Sequence, residues 1–143
     1  MANTTARKSR PGENMRLVDA LGYRLPLAGL VSILHRGSGL LMFVLLPFII
    51  WMFDASLTSE ISYSQFVSVF RSGTGALPGW FYKLIALLLI WAYLHHLIAG
   101  LRHLWMDVSH AAVSKEFGRS SAIFTLAASI VLTLALGAKL FFF

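Results

Sequence analysis

The chain contains no cysteine. Disulfides, thiolate-held iron–sulfur clusters, a covalently attached c-type haem and a cysteine nucleophile are therefore excluded, and histidine is left as the only strong transition-metal ligand. Charge is the second scarcity: 13% of the 143 residues are Asp, Glu, Lys or Arg, against a usual share of about 25%. That is too little to cover a soluble domain of this length, so a soluble enzyme is excluded. A disordered chain is excluded on the opposite ground, since 57% of the residues are hydrophobic and 13% aromatic, both of which disordered segments lack. The length suits one domain.

The formal net charge of +6 raises nucleic acid as a partner, but its distribution argues against one. Arg7, Lys8, Arg10, Arg16 and Arg24 lie in residues 1–27 with Glu13 and Asp19, and Arg102, Lys115 and Arg119 cluster in a later connector. No basic stripe with interleaved aromatics is present, as a nucleic-acid groove requires. These charges read instead as cytoplasmic flanks of membrane spans.

Three apolar runs approach the ~20 residues that cross a ~30 Å hydrocarbon core. They run from about 28 to 53, 81 to 105 and 121 to 142, giving an all-α membrane protein with a 28–143 anchor domain behind a 1–27 N-terminal arm. The first run is too long and too far from Met1 for a cleaved signal peptide. His35-Arg36 interrupts it near its start, Gly37 and Gly39 weaken its first turns, and Pro47 predicts a kink. The arm carries five Lys/Arg and the connector 106–120 two more, whereas the connector 54–80 carries only Arg71. The positive-inside rule then places the N-terminus in the cytoplasm and the C-terminus outside. Trp51, Trp80, Phe81 and Tyr82 fall at the outer ends, where aromatic belts form, and Lys139 can snorkel outward. Within 54–80, Tyr63, Phe66, Val67 and Phe70 share one helical face, which predicts a short interfacial helix followed by a loop over 72–79. A surface loop throughout is the competing reading.

Ionisable residues inside spans are costly, about 2.5–3.5 kcal/mol each on insertion scales, and so point to function. In the second span Ala92, His96, Gly100, His103 and Asp107 line one stripe. Small residues one turn to either side of His96 leave a shallow groove that a flat macrocycle needs. A helix-packing face, with His96 bonded to a neighbouring helix and Gly100 permitting close approach, explains the same pattern. His95 shares its stripe with Trp91 and Arg102 and lacks that clearance, and His103 and His110 read as boundary or interface groups. At ~1.5 Å per residue His96 lies roughly 13 Å in from Trp105 and His35 about 10 Å in from Ala28. Span three has no histidine. No second ligand at the depth of His96 is then expected from this chain, and a haem would draw it from another. Ser32 and Arg36, four residues apart, share a helical face with His35 adjoining. A hydroxyl and a guanidinium placed so suit a quinone carbonyl, and an arginine suits a propionate; Arg36 simply snorkelling to headgroups is the alternative.

His35-Arg36-Gly37-Ser38-Gly39 resembles the H-R-x-[ST]-G signature of the cytochrome b subunit of succinate dehydrogenase. The run from His96 through Gly100-Leu101-Arg102-His103 to Asp107 resembles that family's second signature, H-x3-G-[IL]-R-H-x3-D. The resemblance covers roughly residues 24–143 and is specific because both motifs occur in order. It implies half of a heterodimeric haem-binding helix bundle in a bacterial inner membrane, with the C-terminus periplasmic. A second hydrophobic anchor subunit would share one haem b, and an iron–sulfur subunit and a flavoprotein would sit on the cytoplasmic side. It also implies His96 as axial ligand to the haem iron, Ser32 and Arg36 as ubiquinone contacts, and His35 and Arg36 near the haem propionates. The arm departs from the family: Arg10-Pro11 is followed by Gly12-Glu13-Asn14, without an S-P-H-L element. With no flavin fold and no cysteine, the chain is not an enzyme on its own. It would serve a succinate:ubiquinone oxidoreductase of the tricarboxylic acid cycle and respiratory chain. The rivals are the anchor of a fumarate reductase or other quinone oxidoreductase, and a haem-free membrane scaffold.

Overall fold

The computed structural model describes residues 25–142; the basic arm and its departure from the family pattern lie outside them. The order is α1 (Leu27–Val44), α2 (Leu46–Leu57), α3 (Glu60–Ser72), α4 (Gly79–Val108), a 3-10 turn (His110–Val113) and α5 (Lys115–Phe142). Three of these helices, α1, α4 and α5, are long and apolar enough to cross a membrane.

The first apolar run is two helices in line, broken at Leu45 (φ −87°, ψ 6°). Pro47 accounts for the break, because its nitrogen has no proton to offer the carbonyl of Phe43. The ladder resumes with the Ile49 N–H donating to the Leu45 carbonyl at 3.0 Å. Serines set the start of α3: the Ser62 N–H donates to Ser59 Oγ at 3.1 Å, and the Ser59 N–H donates to Ser62 Oγ at 3.0 Å. This reciprocal cap, with Glu60 in the first turn and Arg71 in the last, stabilises a short helix at both ends. Most of the apolar face expected there meets the rest of the chain, with Phe66 tilted against Trp51 and Phe70 edge-on to Tyr82, while Tyr63 stays exposed. The third long helix begins six residues before the apolar run, where Ser114 Oγ accepts from the Phe117 N–H at 3.3 Å.

Helix α4 is central, packing against both α1 and α5, which also touch each other. Its inner side is Ala86, Leu89, Ala92, His95, Ala99 and Arg102, and the facing side of α5 is Ala122, Thr125, Ser129, Thr133 and Gly137. Small residues at three- and four-residue spacing let the two backbones close up, since hydrocarbon solvent gives no hydrophobic drive to do so. The hydroxyls on that face stay satisfied within their own helix, Thr125 donating to the Ser121 carbonyl and Thr133 to that of Ser129. Outward-facing Leu, Ile and Phe are exposed along every long helix, as lipid-facing surfaces are.

One charge departs from the sequence reading. Arg102, grouped above with cytoplasmic flank charges, is 7% exposed, its Nε donating to Ser121 Oγ at 2.9 Å and its Nη2 to the Gly118 carbonyl at 3.3 Å. It ties α4 to the first turns of α5 from inside the bundle. At the other end of this contact, a Cβ on Gly137 would come within 2.5 Å of Leu87 Cδ1. Gly137→Leu should therefore cost about 1–3 kcal/mol by overpacking and lower the thermal midpoint of the detergent-solubilised protein. Adding Leu87→Ala should restore much of it; no restoration would mean that the two side chains do not compete for one space.

Candidate functional site

Where α1 crosses α4, each helix presents a glycine to a histidine of the other. A Cβ on Gly39 would stand 2.9 Å from His96 Cε1, and one on Gly100 would stand 3.5 Å from His35 Nε2. The two imidazoles meet face to face between these positions, ring centroids 4.2 Å apart and planes 23° apart. His103 joins from the next turns of α4, its ring centroid 5.2 Å from that of His35.

Hydrogen bonding fixes the state of His96. Its Nδ1 lies 3.0 Å from the main-chain oxygen of His35, and because a carbonyl only accepts, Nδ1 carries the proton. Ser38 Oγ, 3.3 Å from the same nitrogen, spends its own proton on the His35 carbonyl at 2.8 Å. In the neutral ring that leaves Nε2 as the bare nitrogen, and His96 as a whole is half-buried. A neutral imidazole with Nδ1–H held by a carbonyl is the form in which histidine ligates a metal. The donor set thus fits one axial position of a haem. It does not supply two, because His35 meets His96 ring against ring, leaving no space between their nitrogens for an iron. Among the described residues no three His, Cys, Asp or Glu side chains converge as a metal-ion site either.

Several expectations need correcting. The shallow groove of Ala92, His96 and Gly100 is not open: Ala92 is fully buried, and α1 fills the remainder with Gly39 and His35. Helix packing and a ligand-ready nitrogen are both present at His96, on different edges of one ring. His35 does stand level with His96, their ring centroids 4.2 Å apart, contrary to the depth count, which measured each span from its own end and carried no register between the two. His103 belongs to this cluster instead of being a detached boundary group. His95 lacks clearance, as expected. It has no exposed surface, stacks on Trp91 with centroids 5.4 Å apart, and sets Nδ1 3.3 Å from Ser129 Oγ. Its Nε2 is buried without a partner among the described residues.

Ser32 is half-buried on α1 and Arg36 is exposed one turn on. Ser38 is the residue to which sequence reasoning gave no role of its own. It is 1% exposed, and it polarises the carbonyl that orients His96. The signal was its place as the hydroxyl position of the first motif.

Residues 12–136 match the family described as succinate dehydrogenase/fumarate reductase transmembrane subunit. Among curated proteins, the succinate dehydrogenase cytochrome b556 subunit of Paracoccus denitrificans is 34% identical over 110 residues, covering 77% of this chain and 78% of that protein. The protein of the same name from Coxiella burnetii (strain RSA 493 / Nine Mile phase I) is 29% identical over 114 residues, 80% of this chain and 86% of that protein.

The Gly39 contact makes a prediction independent of these similarities. His96 is held between Gly39 and the His35 ring and cannot swing clear, so Gly39→Val should displace its imidazole. The expected outcome is a shifted visible spectrum or reduced haem content in the purified membrane complex, with Gly37→Val, which has nothing within 4 Å of its Cβ position, as the unaffected control. Equal spectra in both variants would show that the ring is free to move.

Proposed function

The chain belongs to the succinate dehydrogenase/fumarate reductase transmembrane subunit family, and from that premise we propose that it is the cytochrome b anchor of a succinate:ubiquinone oxidoreductase. The carrying observation is the bare Nε2 of His96, held in place by its Nδ1–H bond to the His35 carbonyl. On this reading His96 would hold the iron of one haem b, and a second hydrophobic anchor subunit would supply the rest of the site. The absence of space between His35 and His96 supports the division of ligands between two chains. When bound, the haem supplies a one-electron carrier within the membrane.

The remaining residues bind and orient. His35 stacks on His96 and Arg36 follows it on α1, so these two residues would meet the propionates, where charge-assisted bonds are strong. The Ser32 hydroxyl and Arg36 donate to ubiquinone carbonyls at the cytoplasmic end, from which protons reach the reduced product. A flavoprotein and an iron–sulfur subunit dock on that side. The orientation is N-terminus inside and C-terminus periplasmic in a bacterial inner membrane, with residues 1–27 an arm and 28–143 the anchor. The names of both relatives favour succinate dehydrogenase over fumarate reductase.

Two substitutions test the two sites separately. His96→Leu should remove most of the b-type haem from the purified complex, read by reduced-minus-oxidised spectroscopy, while His95→Leu should retain the haem ligand. The reverse pattern moves the ligand one residue along α4. Ser32→Ala removes one hydrogen bond, worth about 0.5–1.5 kcal/mol, so the apparent KM for ubiquinone should rise about threefold to tenfold. Succinate oxidation by an artificial acceptor at the flavoprotein should be unchanged. An unaltered ubiquinone KM would make Ser32 a helix-packing hydroxyl.

A further inference from the structure

The end of the bundle away from Trp105 holds a cluster that the haem and quinone reading leaves unused. Arg71 from the last turn of α3, Lys83 from the second turn of α4 and Lys139 near the end of α5 line one cleft of about 380 Å³, walled by Met52, Phe66 and Phe70. Among the described residues no carboxylate lines it. Lys83 Nζ rests 5.6 Å from the centre of the Phe141 ring, so this cation is held at the apolar edge of the bundle. Three like charges brought from three helices to one cleft repel one another. An anion seated in the cleft would relieve that repulsion.

A second cleft, of about 470 Å³, shares Met52 and Ala86 with the first and continues down α4 past Leu89 and Ile90 to Leu94. No charged side chain of the described residues lines it. From Lys83 to Leu94 is eleven residues, or about 16 Å at 1.5 Å per residue, which is half the ~30 Å hydrocarbon core. The molecule thus offers a cationic mouth at the membrane boundary above an apolar groove as deep as one leaflet.

We propose that this end of the chain binds a phospholipid with a net negative headgroup. Its phosphate is taken by Arg71, Lys83 and Lys139, and one acyl chain lies in the groove beside Ala86, Leu89 and Ile90. Arginine and lysine suit a phosphate, the former by paired N–H donors and the latter as a point charge. Neither cleft includes His35 or His96, so the site stands or falls apart from the haem reading.

The test is native mass spectrometry of the purified complex released from nanodiscs of equal phosphatidylglycerol and phosphatidylcholine. The wild type should retain phosphatidylglycerol in preference by about fivefold or more, the scale of one to a few basic contacts with an anionic lipid. The triple variant Arg71→Gln, Lys83→Gln, Lys139→Gln should lose that preference, and the charge-keeping triple Arg71→Lys, Lys83→Arg, Lys139→Arg should keep most of it. If the glutamine variant does not assemble, the wild type decides alone, with millimolar inorganic phosphate leaving the lipid in place. Equal retention of the two lipids by the wild type overturns the proposal. So does an undiminished preference in the glutamine variant, displacement by phosphate, or a carboxylate of another subunit cross-linking to Lys83 in place of lipid.

Discussion

One proton, on Nδ1 of His96, joins the two helices that matter most. It is donated to the His35 carbonyl, a main-chain acceptor that no side-chain substitution at His35 removes, and the Ser38 hydroxyl donates to the same oxygen. At membrane depth an unpaired polar group has no water to turn to, so the bond holds α1 against α4 and chooses the tautomer of the ring together. The ligand role proposed for His96 depends on that choice. With Nδ1 protonated, Nε2 is the nitrogen available to a metal; with the proton on Nε2, His96 would be only a packing group.

The bond is possible because of what is missing around it. Gly39 leaves room for the His96 ring and Gly100 leaves room for the His35 ring, so two aromatic rings occupy a crossing where larger side chains would hold the backbones apart. Against α5 the same device works with different residues. Alanines, serines and threonines line the α5 contact, and the buried Arg102 pins one end of it. Packing within the chain thus consumes one side of α4, while Leu97, Leu101 and Leu104 remain exposed beside the half-buried His96. A second subunit that completes a haem site would cover this surface.

Composition and run length sufficed to read the three long helices from sequence, because lipid solvation demands apolar surface everywhere and leaves a strong signal. The break near Pro47 and the aromatic face of α3 were equally legible, each resting on local stereochemistry. The helix crossing was not. Counting depth along separate spans kept His35 away from His96, though the structure stacks them. The burial of Arg102 was hidden for a related reason. A charge near a span end looks the same whether it reaches outward to headgroups or inward to a serine, and only the start of α5 at Lys115 brings Ser121 and Gly118 within its reach. Ser38 shows the intermediate case: its position in a motif marked it, but its partner lies 58 residues away.

The orientation of His96 is open to direct observation. An electron cryo-microscopy map of the purified complex, sharp enough to place the haem, would show which atom of this chain meets the iron. The expected result is iron on Nε2 of His96 with Nδ1 still in hydrogen-bond reach of the His35 carbonyl, and the opposite ligand coming from another subunit. Iron on Nδ1, iron on His35 or His95, or a His96 ring turned away from α1 would contradict it.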